Sequence, residues 1–321
     1  MTRRAPYRLR RPIARPESVW VDTDMSVDDI FALRLLEAEG IAVDGISLCF
    51  GVTPLRQVRR NAAAALMTFG WLRTQVHLGA DRAILGGQEH ATRILGETGI
   101  RTRGLTLPEN PADPFLDDAS WAMEDWLEAR PREAILALGP LTNIAVLALR
   151  RPDLLERLGG VVWMGGGVTS GNHTASAEFN ALADPEALAV LLARDVNIRM
   201  IDLDACRRVQ IAEADVAAVR AAPGPLAPLL ADLLGGYLDI ALERGRETMA
   251  LYDPVAAAAL ARPELFRFQP VRIEAELTGA HTRGRTVVET RNPETHNAEI
   301  AADLDAAAVK ALCLAALEDR G

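Results

Sequence analysis

From Ser18 onward, short runs of Val, Ile, Leu and Ala alternate with longer stretches whose apolar residues recur at helical spacing. A strand buried on both faces is apolar along its length, whereas a covering helix is apolar on one side, so this alternation predicts parallel strands joined by crossover helices. The fold class expected is α/β: a single-domain, open, mostly parallel sheet of Rossmann-like form. Strands are expected at 19–24, 43–48, 76–78, 134–138, 160–164 and 197–203. Helices are expected at 28–38, 55–71, 117–129, 143–149 and 184–193, the last opened by Asp184-Pro185-Glu186 as cap, first helical residue and dipole-favoured acid. The stretch 212–262 reads mainly as helix, followed by strand-like pieces at 271–277, 285–290 and 299–302 and a helix at 305–317. No fixed-period repeat and no Gly/Ser- or Pro-rich linker divides the chain, so one domain is expected over 18–321, after an Arg-rich, flexible extension at 1–17.

At 321 residues the chain can bury a sizeable core, and 49% apolar with 25% charged residues excludes a disordered chain. The net charge of -9 argues against a protein that holds nucleic acid by its phosphates. Arg3, Arg4, Arg8, Arg10, Arg11 and Arg15 form a local exception, read as a frayed terminus in preference to a nucleic-acid arm. No apolar run approaches the roughly 18 residues of a membrane span, and the N-terminus lacks the apolar stretch of a secretory signal, so no membrane partner and a cytoplasmic location are expected. Cys49, Cys206 and Cys313 are too few and too scattered for a disulfide framework or a zinc site. Lys310 is the sole lysine, which limits any lysine-based chemistry to one candidate.

Ligands of parallel sheets lie beyond the carboxyl ends of the strands. There the chain reads Asp22-Thr23-Asp24-Met25-Ser26-Val27-Asp28-Asp29. Asp22 and Asp24, two apart on a strand, share a face, and Asp28 and Asp29 open the next helix. Four carboxylates in a partly dry crevice repel one another unless some protonate or a cation neutralises them. All-oxygen ligation suits Ca²⁺ or Mg²⁺, and Ca²⁺ accepts the looser geometry and backbone carbonyls. The Asp-x-Asp is similar to that of haloacid-dehalogenase-like, Mg²⁺-dependent phosphatases, which expect a mid-chain basic residue, usually lysine; Lys310 lies near the C-terminus instead, so that reading would require an arginine substitute.

The segment resembles more closely the Asp-x-Asp-x-Gly-x-Asp-Asp opening of the inosine-uridine-type nucleoside hydrolases, with Ser26 in the glycine position. The resemblance continues in order through Gly139-Pro140-Leu141-Thr142-Asn143, Trp163-Met164-Gly165-Gly166-Gly167, Ala177-Glu178-Phe179-Asn180, Asp184-Pro185-Glu186 and Tyr252-Asp253-Pro254. It implies the nucleoside hydrolase fold, a nucleoside or riboside as substrate, and a homodimer or homotetramer. It further implies that Asp24, Asp29, Asp253 and the carbonyl of Leu138 hold Ca²⁺, with Asp22 in support. Asp24 would take a proton from the attacking water, and Asp28, Met164, Asn172, Glu178 and Asn180 would bind the sugar. Three departures concern the leaving base. Val52 follows Gly51 where the family often has Asn, Leu95 stands where a histidine is expected before Gly96, and Tyr252 replaces the histidine before Asp253. The expectation is therefore a Ca²⁺-dependent N-ribosyl hydrolase, with Tyr252 or water protonating the base or with a leaving group that needs little acid help. The alternative of another class is a nucleoside- or ribose-binding protein of the same fold with little turnover.

Overall fold

The computed structural model describes residues 12–87, 89–109, 115–116 and 118–318. Its strands are β1 (Ser18–Thr23), β2 (Ala42–Leu48), β3 (Val76–Leu78), β4 (Ala134–Ala137), β5 (Gly160–Met164), β6 (Ile198–Ile201), β7 (Gln210–Ile211), β8 (Met249–Ala250), β9 (Phe266–Ala275), β10 (Thr286–Glu289) and β11 (Ala298–Leu304). Its helices are α1 (Val27–Ala38), α2 (Leu55–Phe69), α3 (Thr92–Leu95), α4 (Ala119–Ala129), α5 (Thr142–Arg150), α6 (Phe179–Ala183), α7 (Pro185–Ala193), α8 (Leu203–Cys206), α9 (Glu213–Ala221), α10 (Ala227–Leu242), α11 (Asp253–Ala261) and α12 (Ala306–Ala315).

Among the described residues the main sheet has nine strands in the order β10-β9-β11-β6-β5-β4-β1-β2-β3. Pairing is parallel from β3 across to β11, and β9 and β10 add an antiparallel edge. Every residue of β1, β4 and β5 is buried, as strands covered on both faces must be. Alternation divides β1 between two cores: Val19 and Val21 pack with α1 and α11, while Trp20 joins Trp126 and the residues of α5 and α7 on the other side. Helix α11 is buried all round, and its run Ala256-Ala257-Ala258-Ala259 lets it lie close against α1 and the sheet. Strand order reverses between β1 and β4, and the crevice at such a switch point is where an open α/β sheet binds its ligand.

The sequence placed the parallel strands within a residue or two, except that Leu203 begins α8 rather than ending β6, because Asp202 caps it by accepting from Ala205 N–H at 3.0 Å. Two further corrections apply. Strand β9 begins at Phe266, before Pro270. That proline is tolerated because β10 pairs with β9 only over Arg272–Ala275 and leaves the Pro270 position without a neighbour on that side. The stretch expected to be mainly helix is broken at β8, which forms a two-stranded antiparallel ribbon with β7. Of the N-terminal stretch, Arg3, Arg4, Arg8, Arg10 and Arg11 lie outside the described residues, as does the expected helix start at Asp117. Ile13 is buried and its carbonyl accepts from Arg199 Nη1 at 2.9 Å. No helix among the described residues is long and apolar enough to cross a membrane.

Candidate active site

The ends of β1 and β4 deliver the first groups. Asp22 is wholly buried; its Oδ1 accepts from Asn143 Nδ2 at 2.8 Å and from Ser47 Oγ, while its Oδ2 is buried without any hydrogen-bond partner. Burial pushes its pKa up to about 7 despite those donors. Asp24 lies just past β1 and accepts from the Val52 backbone N–H. Gly51 makes room for it, since a Cβ there would fall 1.9 Å from Asp24 Oδ2. The chain then turns through Met25 in the left-handed region (φ 46°), a costly conformation for a non-glycine residue. It is held by Met25 N–H to Thr23 Oγ1 (2.9 Å) and by Asn61 Nδ2 to the Met25 carbonyl (3.0 Å).

That turn starts α1. Ser26, in the position the resemblance gives to glycine, has an extended backbone and supplies a hydroxyl 2.7 Å from Asp28 Oδ1 and 2.9 Å from Asp29 Oδ2. Asp29 also accepts from Ser26 N–H at 2.8 Å and from the Thr23 hydroxyl. Helix α11 packs along α1 and presents Asp253 from its own first turn, so that oxygens of Asp28, Asp29 and Asp253 all lie within 4.8 Å of one another. Asp28 thus joins Asp29 and Asp253 in this trio, and Asp24 lies beside them, close enough for the Asp29 charge to raise its proton affinity. Burial, then mutual repulsion, raises Asp24 and Asp253 well above the carboxylate range and Asp28 to about 6; Asp29 is raised too, against the pull of its donors.

None of these five carboxylates has an arginine or lysine ion-pair partner among the described residues. An acidic, oxygen-only cluster with one orphaned buried oxygen and no basic counter-charge fits a hard divalent cation. The Leu138 carbonyl follows β4, and it accepts from Asn180 Nδ2 at 2.9 Å while Leu138 N–H donates to the Asp22 carbonyl at 2.8 Å.

The other expected sugar-binding residues line the same cavity of about 790 Å³. Asn180 Nδ2 also reaches the Met164 carbonyl at 3.0 Å, which ties the ends of β4 and β5 together. Glu178 caps α6, and its two oxygens accept from the backbone N–H groups of Asn180, Ala181 and Gly166 at 2.8–2.9 Å. Burial still pushes it up to about 7. Asn172 is exposed, with Oδ1 accepting from Phe179 N–H at 3.1 Å. Val52, Leu95 and Tyr252 line this cavity as well, and burial drives the Tyr252 hydroxyl up to about 12, away from the range of a useful acid near neutrality. His173 also lines it, packed against Phe179 at 5.2 Å with a buried Nδ1 that has no partner. Trp163 is core, donating to the Gly139 carbonyl at 3.2 Å.

Further residues support the site, Asn143, Thr142 and Asp184 from the motifs of the resemblance and Tyr237 without any sequence signal. Asn143 holds Asp22, the Leu48 carbonyl (3.2 Å) and Ala80 N–H (2.8 Å); Asp184 accepts from Thr142 Oγ1 at 2.6 Å, so those motifs brace the site from behind. Tyr237 donates to the Ala250 carbonyl at 3.0 Å and lies 3.4 Å from Asp28. Lys310 pairs with Asp215 at 2.7 Å and does not line the cavity, so it is not the basic residue that a phosphatase reading needs.

A family model described as inosine-uridine preferring nucleoside hydrolase matches residues 19–311. The chain is 32% identical over 309 residues to the pyrimidine-specific ribonucleoside hydrolase RihA of Shewanella woodyi, covering 93% of this chain and 97% of that protein. It is 32% identical over 289 residues to the non-specific ribonucleoside hydrolase RihC of Klebsiella pneumoniae, covering 89% and 93%. Among solved structures, a purine-preferring ribonucleoside hydrolase from Gardnerella vaginalis superposes with a TM-score of 0.86 at 24% identity, over 94% of this chain and 98% of that one.

Proposed function

The chain belongs to the inosine-uridine preferring nucleoside hydrolase family and is an N-ribosyl hydrolase acting on ribonucleosides, and on that premise we propose that Ca²⁺ is its metal and that the cavity between β1, β4 and α11 is its active site. The observation that carries the reading is the floor of that cavity: buried carboxylates from the starts of two packed helices and the end of β1, with no basic partner among the described residues. Asp24, Asp29, Asp253 and the Leu138 carbonyl would hold the cation, with Asp28 close enough to share in it. When bound, the cation supplies Lewis acidity and neutralises the cluster.

The protein's own groups do the rest. Asp24, raised in proton affinity by burial, accepts the proton of the attacking water. Carboxylates under the ring stabilise the positive charge that develops on the ribosyl group as the C1′–N bond breaks. Asp28 and Asn180 orient the sugar, Met164 packs against it, Asn172 reaches it from the loop, and Glu178 holds that loop and α6 in register while facing the same cavity. The enzyme is proposed to act in the cytoplasm as a homodimer or homotetramer, which light scattering of the purified protein measures directly.

The test is sugar release from purine and pyrimidine nucleosides and from p-nitrophenyl riboside, in Ca²⁺, in Mg²⁺ and in chelator. Release that needs Ca²⁺ and is lost in chelator is expected. Tight nucleoside binding without release from any substrate would make the chain a binding protein of this fold.

A further inference from the structure

The cavity has Val52, Leu95 and Tyr252 where an acid for the leaving base is expected, and Arg207 and Arg246 line it as well, the latter beside the exposed Glu247. Arg207 caps α8 just before β7. Its Nη1 donates to Ser170 Oγ and its Nη2 to the Gly171 carbonyl, both at 2.8 Å. Those acceptors are neutral and fix the guanidinium; Asp204 Oδ1 forms a long ion pair with it at 3.7 Å, while Asp204 Oδ2 accepts from the N–H groups of Val168 and Thr169. Arg246 stands in the turn after α10, shaped by Gly245 at φ +70° and by Arg246 N–H to the Ala241 carbonyl at 3.0 Å. Among the described residues no carboxylate forms an ion pair with it. The β7–β8 ribbon (Gln210 opposite Ala250, Ile211 opposite Met249) and the Leu251 N–H to Val209 carbonyl bond (2.9 Å) join the two segments. Both arginines therefore line the cavity within electrostatic reach of the Tyr252 hydroxyl.

A guanidinium cannot surrender its proton near neutrality, so it cannot act as the missing acid; it can only stabilise negative charge. We propose that Arg207 and Arg246 form an anion-stabilising rim that lets the heterocycle leave as its conjugate base, so that the enzyme favours ribosides whose departing group is the stronger acid, such as a halogenated pyrimidinedione over the unsubstituted one. This rests on the active-site reading above. The water oxygen bonds to C1′ as the C1′–N bond breaks, the water's proton passes to Asp24, and the bonding pair stays on the nitrogen. The resulting anion pairs with the guanidinium groups until solvent protonates it.

The experiment compares kcat and KM of the wild type, Arg246→Gln, Arg246→Lys and Arg207→Gln with Ca²⁺ on uridine, 5-fluorouridine, p-nitrophenyl riboside, adenosine and uridine 5′-monophosphate. Arg246→Gln should lower kcat for uridine by at least about tenfold, 5-fluorouridine less and the nitrophenyl substrate least, with Arg246→Lys recovering part of the loss. Because Arg207 also braces the 170–171 loop, the Arg246 variants decide. An equal loss on every leaving group would overturn the rim. A loss confined to the 5′-monophosphate would overturn it in favour of a phosphate subsite, and arginine variants without effect beside an inactive His173→Gln would overturn it in favour of a histidine acid. Wild-type silence on all substrates would overturn the active-site reading itself, whereas wild-type activity with an even loss overturns the rim alone.

Discussion

Single residues of the site divide by what their polar atoms already hold. Glu178 spends both oxygens on three backbone N–H groups, so replacing it by Gln turns an amide NH₂ toward at least one of those donors. A buried donor left unpaired costs roughly 1–3 kcal/mol, and Glu178→Gln should lower the melting temperature by several degrees as well as raise KM, as calorimetry alongside kinetics would reveal. A residue that only touched sugar would raise KM and leave the melting curve alone. Tyr252 makes the opposite case. With its hydroxyl pushed up to about 12, it holds its proton too firmly to serve as an efficient acid, and Tyr252→Phe should change kcat on uridine by less than about fivefold. A hundredfold fall would assign proton donation to that hydroxyl after all.

Elements are legible in proportion to their apolar length. β1, β4 and β5 announce themselves because burial on both faces fills them with apolar residues, and the acids that follow β1 sit where a strand must give way to a helix N-terminus. Asp24, Asp28 and Asp29 could be singled out for that reason, whereas Asp253 is legible only through the Tyr252-Asp253-Pro254 motif of the resemblance. Asn61 and Tyr237 could not be singled out, because an asparagine or tyrosine inside a helix looks the same whether it faces solvent or, as here, holds the Met25 carbonyl or approaches Asp28 from more than thirty residues away. The ribbon β7–β8 escaped because two residues a side carry no periodicity, yet it sets the mouth of the cavity. An element so short has few contacts of its own to protect it, so its amides, and that of Leu251, should exchange with deuterium far faster than those of β1 or β4 in the free enzyme. Binding of a riboside analogue should slow them at least about tenfold; unchanged exchange would mean that the ribbon takes no part in closing the site.

At the scale of the whole molecule, the fold places its electrostatic stress at one point. The sheet reverses its strand order between β1 and β4, α1 and α11 bring their first turns to that crevice, and the result is a group of carboxylates that gain proton affinity on folding. The sign of the consequence is fixed. Asp22 and Glu178 near 7 and Asp28 near 6 bind protons in the folded state at pH values where the unfolded chain, with carboxyl pKa values near 4, has released them. Between about pH 4 and pH 7 the native state therefore holds more protons than the unfolded one. The stability of the metal-free protein falls as pH rises through that window, by at most about 1.4 kcal/mol per pH step of one for each extra proton held. Melting followed in chelator should give a higher midpoint at pH 5 than at pH 8. A divalent cation offsets the same repulsion only where the carboxylates are ionised, so added Ca²⁺ should raise the midpoint strongly at pH 8 and little at pH 5. A metal-free protein whose stability rose between pH 5 and pH 8, or a Ca²⁺ effect independent of pH, would mean that the acidic floor is neutralised within the protein itself.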